Sequence, residues 1–164
     1  MRNRNAPLIF RSRNRIFRRD FVIFRFGVGE QTHSNHAAKE DIKVREKVIK
    51  DFYARWISEH PDKKIWTENL QDYILVKYQS INETYNKAAR RYESTLAVFR
   101  LTEVMEKAVL KSEKGTKPGD KNQKPYSKLL IMFHDGIKLT VGVQRTTQEK
   151  VQYCLTAVGA TQEQ

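Results

Sequence analysis

Few residues in this chain stand at spacings that chemistry requires. His33 and His36 lie three apart, which on a helix would let them share a metal ion. The stretch around them, Gly27 to Lys39, has linker composition and no cysteine or aspartate cluster, so no metal site is expected. Gly115-Thr116-Lys117 touches on the phosphate-loop pattern but lacks the full Gly-x4-Gly-Lys-Ser/Thr run and an obvious strand before it, which argues against a nucleotide fold. No Ser-His-Asp order and no paired carboxylates at a strand end stand out, so metal-assisted and acyl-transfer chemistry find little support, and no cofactor is expected. The single cysteine, Cys154, sits in the apolar run Val151 to Val158 and reads as a small buried hydrophobe rather than a reactive thiol. One cysteine allows no internal disulfide, which suits a reducing compartment, and a cytoplasmic location is expected.

What the residue types do favour is contact with a polyanion. Lysine and arginine total 31 against 19 acids over 164 residues, a net charge of +12. Such an excess attracts phosphates through counterion release, although a basic surface that merely solvates the protein has the same composition. Residues 1–30 hold eight arginines, no lysine and only two acids, so half of the net charge sits there, with five phenylalanines. This leader reads as an upstream extension or a disordered basic arm ahead of a targeting peptide. Residues 1–38 are thus set apart as leader and linker, and 39–164 as a single domain. No stretch approaches the ~18 apolar residues of a membrane helix, so no membrane partner is expected.

The elements that must position any site follow from periodicity. Ile42 to Ser58 carries Val48, Ile49, Phe52, Tyr53 and Trp56 at helical spacing and ends before Pro61. Tyr73 to Tyr78 alternates as a short strand, and Ser80-x-x-Glu83 reads as a capping box opening a second helix. That helix has a basic side of Lys87, Arg90 and Arg91. Ser94 can cap a further helix running to Ala108, with a break near Leu101-Thr102. Lys111 to Pro125 has no periodicity, contains Lys117, Lys121 and Lys124 among its lysines, and reads as a mobile basic loop.

The last third is an antiparallel meander: Tyr126 to His134, an Asp135-Gly136 hairpin turn, Ile137 to Gln144, and Lys150 to Val158. The fold class expected is therefore α+β, with N-terminal helices and a short strand packed on a C-terminal antiparallel β-meander. One sheet face buries under the helices. The other presents Lys138, Thr140, Gln144, Gln152 and Thr156 beside the Lys-rich loop, with Tyr126 and Tyr153 to stack bases. Nucleic-acid contacts are expected from Arg90, Arg91, Lys117, Lys121, Lys124, Lys128 and Arg145.

The run Ile74-x-Val76, Ser80-x-x-Glu83-Thr84, the Leu96-Ala-Val98 helix, and the strands Lys138-Leu-Thr-Val-Gly-Val143 and Val151-Gln-Tyr-Cys-Leu-Thr-Ala157 resemble the barnase/EndoU/colicin/RelE-like nuclease superfamily. The closest branch is that of phage and mobile-element polyvalent proteins. The resemblance covers about Ile74 to Val158 and its motifs are mostly structural. It implies metal-independent RNA cleavage, in which a 2′-hydroxyl attacks the adjacent phosphate with help from a base, an acid and a cation. Carried over by position, it offers Lys87 on the helix and His134, Lys138, Arg145 and Thr156 on the meander.

This sequence departs from the pattern in having no histidine after Ser80-x-x-Glu83, so the usual acid/base is absent or replaced. By default Lys87 is a solvated helix residue, His134 a strand-end surface histidine and Thr156 a sheet residue. Three functions follow: a nucleic-acid-binding protein of a phage or mobile element, with RNA ahead of DNA; a metal-independent ribonuclease on the same fold; or a non-catalytic protein-interaction or structural accessory domain with a protein partner.

Overall fold

The structure, a computed structural model, describes residues 39–158. The Arg-rich leader, with His33 and His36, lies outside the described residues. Helix α1 (Lys39–Glu59) buries the stripe of Ile49, Phe52, Tyr53 and Trp56 that its spacing announced, and carries Glu40 and Asp41 where the positive end of the helix favours them. His60 follows it, its ring stacked on Trp56 at 4.3 Å.

Two short strands come next, β1 (Lys64–Thr67) and β2 (Asp72–Leu75), paired antiparallel. The sequence pattern anticipated only the second, and gave it too long a run. Val76 leaves the ladder, its amide bonding Lys63 O at 2.8 Å, and helix α2 (Tyr78–Ala88) has begun by Tyr78. The helix opens three residues earlier than Ser80-x-x-Glu83 implied, with Lys77 as its N-cap. Ser80 is the third helical residue, and its hydroxyl accepts from the Lys77 amide at 2.9 Å, leaving Glu83 free for other work.

Helices α3 (Tyr92–Val98) and α4 (Leu101–Lys107) follow, broken at Phe99-Arg100. Ser94 does not cap α3. It is buried inside that helix, and its hydroxyl accepts from the Ala157 amide at 3.0 Å, tying α3 to the last strand.

The remaining strands are β3 (Val109–Gly115), β4 (Tyr126–His134), β5 (Ile137–Gln144) and β6 (Lys150–Ala157). Strands β4, β5 and β6 form the expected meander, and Asp135 and Gly136 both take positive φ (47° and 74°) at its first turn, as a tight hairpin needs. The full sheet has six strands in the order β1-β2-β6-β5-β4-β3, and β2 joins β6 in parallel. The architecture is α+β, helices first, with the meander at the centre of the sheet.

A third of the expected loop Lys111–Pro125, up to Gly115, is strand. Val109–Gly115 pairs with β4 along its length. It showed no alternation because it is an edge strand whose residues are almost all exposed, where charged side chains such as Lys111, Glu113 and Lys114 cost nothing and discourage further pairing.

The core lies on the sheet face carrying Met132, Leu139, Val141 and Leu155, each fully buried. A bulge in β6 alters which residues reach it. Thr140 faces Cys154 while Val141 faces Gln152, so Tyr153 is the extra residue and the alternation changes phase there. Gln152, expected on the polar face, is therefore fully buried. Tyr53 donates to its Oε1 at 2.9 Å, and its amide nitrogen donates to Thr84 Oγ1 at 2.9 Å, closing a buried polar triangle. Among the described residues no helix is long and apolar enough to cross a membrane.

Candidate nucleic-acid interface

The sheet face opposite the core is open over the middle of the meander. Lys138 and Thr156 are cross-strand partners there, and Thr140 and Cys154 form the next pair on the same side. Leu129 and Ile131 of β4 continue this floor. Lys87 of α2 stands on one side. Lys114 at the end of β3, and Lys117 and Gln123 of the following segment, stand on the other. Together they enclose a cleft of about 180 Å³. Among the described residues, four lysines line it and no acidic residue does.

Glu83 lies just behind the wall, one turn before Lys87. Its buried carboxylate accepts from Asn122 Nδ2 at 2.6 Å and stands 3.4 Å from Lys87 Nζ. That ammonium also lies 4.8 Å above the Tyr153 ring, so carboxylate and aromatic face both fit a cation. Burial first, then the charge on Glu83, raises the Tyr153 phenol above its ordinary range. Burial likewise pushes the Cys154 thiol up to about 11, against the pull of Lys87, which leaves it an uncharged floor residue rather than a nucleophile.

The segment 116–125 is tied to this site. Asn122 bonds Glu83 through its side chain and Gln79 through its carbonyl, and Gln123 accepts from the Lys117 amide at 2.8 Å. Tyr126, at its end, is buried. Its ring lies across Gly142, where a Cβ would come within 2.5 Å of it, and its hydroxyl donates to Gln79 at 3.0 Å. Tyr153 is also almost fully buried, edge-on to Tyr126 at 5.7 Å. Neither ring presents a face for stacking a base: Tyr126 is spent covering Gly142, and Lys87 lies over the ring of Tyr153.

Of the residues singled out for chemistry, Lys87, Lys138 and Thr156 meet in the cleft. His134 does not. It stands at the far end of β4, where its Nε2 is 3.1 Å from Glu103 Oε1 beside the Arg100–Asp135 ion pair. Of the expected nucleic-acid contacts, Lys117 lines this cleft and also a larger one of about 490 Å³, which it shares with Lys121, Lys124 and Arg145. Lys128 is held by Glu113 at 2.9 Å, and Arg91 donates to Ala157 O at 3.3 Å. Arg90 is exposed beside it, away from both sets of lining residues. Lys114, Gln123 and Glu83 were not foreseen as site residues. Lys114 stood among the loop lysines, but the bond between Asn122 and Glu83 has no local signal.

Fold and cleft together define a small α+β domain with a cationic cleft on the open face of its sheet. The chain belongs to the family described as large polyvalent protein-associated domain 3, whose model matches residues 44–150. That membership fits the phage or mobile-element setting expected from the sequence. No curated protein and no solved structure matches this chain.

Proposed function

We propose that this domain binds the sugar-phosphate backbone of a nucleic acid, RNA ahead of DNA, in the cleft between α2 and the β3 end of the sheet. The observation that carries the reading is the gathering of Lys87, Lys114, Lys117 and Lys138 around a cleft that no acid lines among the described residues. Elsewhere on this molecule lysines stand in exposed pairs such as Lys47–Asp51 and Lys128–Glu113, whereas the acid beside this cleft, Glu83 at 3.4 Å from Lys87, is buried behind its wall. The test is a salt titration of the affinity for a single-stranded oligouridylate, with Lys87→Gln/Lys138→Gln alongside. The logarithm of affinity should fall linearly with that of salt, and the double variant should lose about 1.4 of the slope, ~0.7 for each phosphate contact removed. A flat salt response, or an unchanged slope in the variant, contradicts the proposal.

The ribonuclease reading has one observation in its favour: Lys87, Lys138 and Thr156 share this cleft. In that reaction the 2′-oxygen bonds to phosphorus, the bond to the 5′-oxygen breaks, and the lysines stabilise the charge of the phosphorane. The proton from the 2′-hydroxyl needs an acceptor and the departing 5′-oxygen a donor. Among the described residues the lining includes no histidine, and the carboxylate beside it, Glu83, already accepts from Asn122. Binding is therefore the primary reading. Incubating RNA with the protein in EDTA separates the two, since only cleavage leaves 2′,3′-cyclic phosphate ends.

A further inference from the structure

We infer that the bound strand does not end in this cleft but passes Lys117 into the second, larger one, so that the ligand is an extended single strand. The inference rests on the nucleic-acid reading of the first cleft.

The segment between the two clefts is a built structure. Lys117, Pro118, Gly119 and Asp120 form a turn closed by the Asp120 amide on Lys117 O at 3.3 Å. Proline in second place and glycine at φ +80° in third are what a type II turn requires. One helical turn follows, with the Gln123 and Lys124 amides both on Asp120 O, at 3.2 and 3.0 Å. Residues three apart on such a turn point the same way, so Lys121 and Lys124 stand side by side.

Arg145, from the turn after β5, completes the group. Its amide bonds Pro125 O at 2.9 Å and its Nε donates to Lys124 O at 3.0 Å, which fixes the guanidinium beside the lysines. Among the described residues no carboxylate forms an ion pair with Lys117, Lys121, Lys124 or Arg145. The one acid of the group, Asp120, accepts from the Asn122 amide at 2.9 Å.

Lys117 lines both clefts, so the two sets of cations meet at one shared residue, with Asp120 the one acid lining the larger cleft. Such a series suits a single backbone, whose phosphates recur at short intervals along a line. A lone phosphate or a mononucleotide would use only one end of it.

The test compares affinities for oligouridylates of about four and about eight nucleotides, lengths that bracket one and two such sites. It uses the full chain and the exposed-residue variant Lys121→Gln/Lys124→Gln. The unsubstituted protein should bind the longer oligomer more tightly. The variant should bring the ratio of the two affinities toward one and reduce the salt slope for the longer oligomer by about 1.4. A length ratio unchanged in the variant overturns the continuous track while leaving the first cleft standing, as does a duplex of equal length bound as tightly as the single strand. Absence of binding at both lengths overturns the reading of the first cleft and this one with it.

Discussion

Glu103 shows how one residue's surroundings decide what its neighbour can do. It accepts from Arg100 Nε and Nη2 at 2.9 and 3.1 Å, and His134 Nε2 stands 3.1 Å from the same carboxylate. Arg100 first, and His134 after it, hold this carboxyl at about 2, down from 4.5. A carboxyl lowered on folding contributes stability that is present above its unfolded value and lost as the pH falls toward the folded one. The contribution should therefore fade between about pH 4.5 and 2. It is small, because the side chain is 39% exposed and solvent screens it. Thermal unfolding followed across that interval should fall less steeply in Glu103→Gln than in the unsubstituted protein; equal slopes would remove the pairing from the account.

The same contacts explain why His134 stands apart from the cleft that Lys87, Lys138 and Thr156 share. A histidine ahead of an Asp-Gly turn is visible in the sequence, but the carboxylate that holds it comes from a helix 31 residues away. Lys138 and Thr156 were legible for the opposite reason. Both follow from strand alternation, which the hairpin turn fixes in register.

At the scale of elements, legibility tracked burial. Strands that bury one face, β4 to β6, announced themselves through alternation. The edge strands did not: β1 is four residues long and β3 is almost entirely exposed, so neither has an apolar row to read. The bulge at Tyr153 was hidden too, because one extra residue leaves the sequence alternation intact while turning Gln152 into the core.

The segment 116–125 depends on one contact of this hidden kind. Asn122→Ala removes the donor at 2.6 Å from Glu83 and leaves a buried carboxylate with one partner fewer, at a cost of about 1–3 kcal/mol. Urea denaturation should show that loss. Hydrogen exchange should show faster exchange of the Lys117 amide, which Gln123 now holds. Unaltered exchange there would mean that the remaining contacts, at Gln79 and Arg145, hold the segment alone.

Across the whole molecule, charge and topology are separate matters. The cations that carry the proposed function come from α2, β3, β5, the segment 116–125 and the turn after β5, and no short window of sequence contains them all. Only the sheet brings them to one side. Among the described strands, β1 and β2 join the rest of that sheet through one parallel pairing, Ile74 with Lys150 and Leu75 with Val151, between strands separated by most of the described chain.

This pairing predicts an order of events in time. The meander assembles from neighbours in sequence through a two-residue turn, whereas β2 must wait for a distant partner, and the entropy of closing so long a loop falls on that late step. Substitutions on the two sides should then divide between the arms of a chevron plot. Ile74→Val should mainly speed unfolding, and Leu139→Ala should mainly slow refolding. Stopped-flow traces in which Ile74→Val slows refolding as much as it destabilises the fold would place the parallel pairing early, in the nucleus itself.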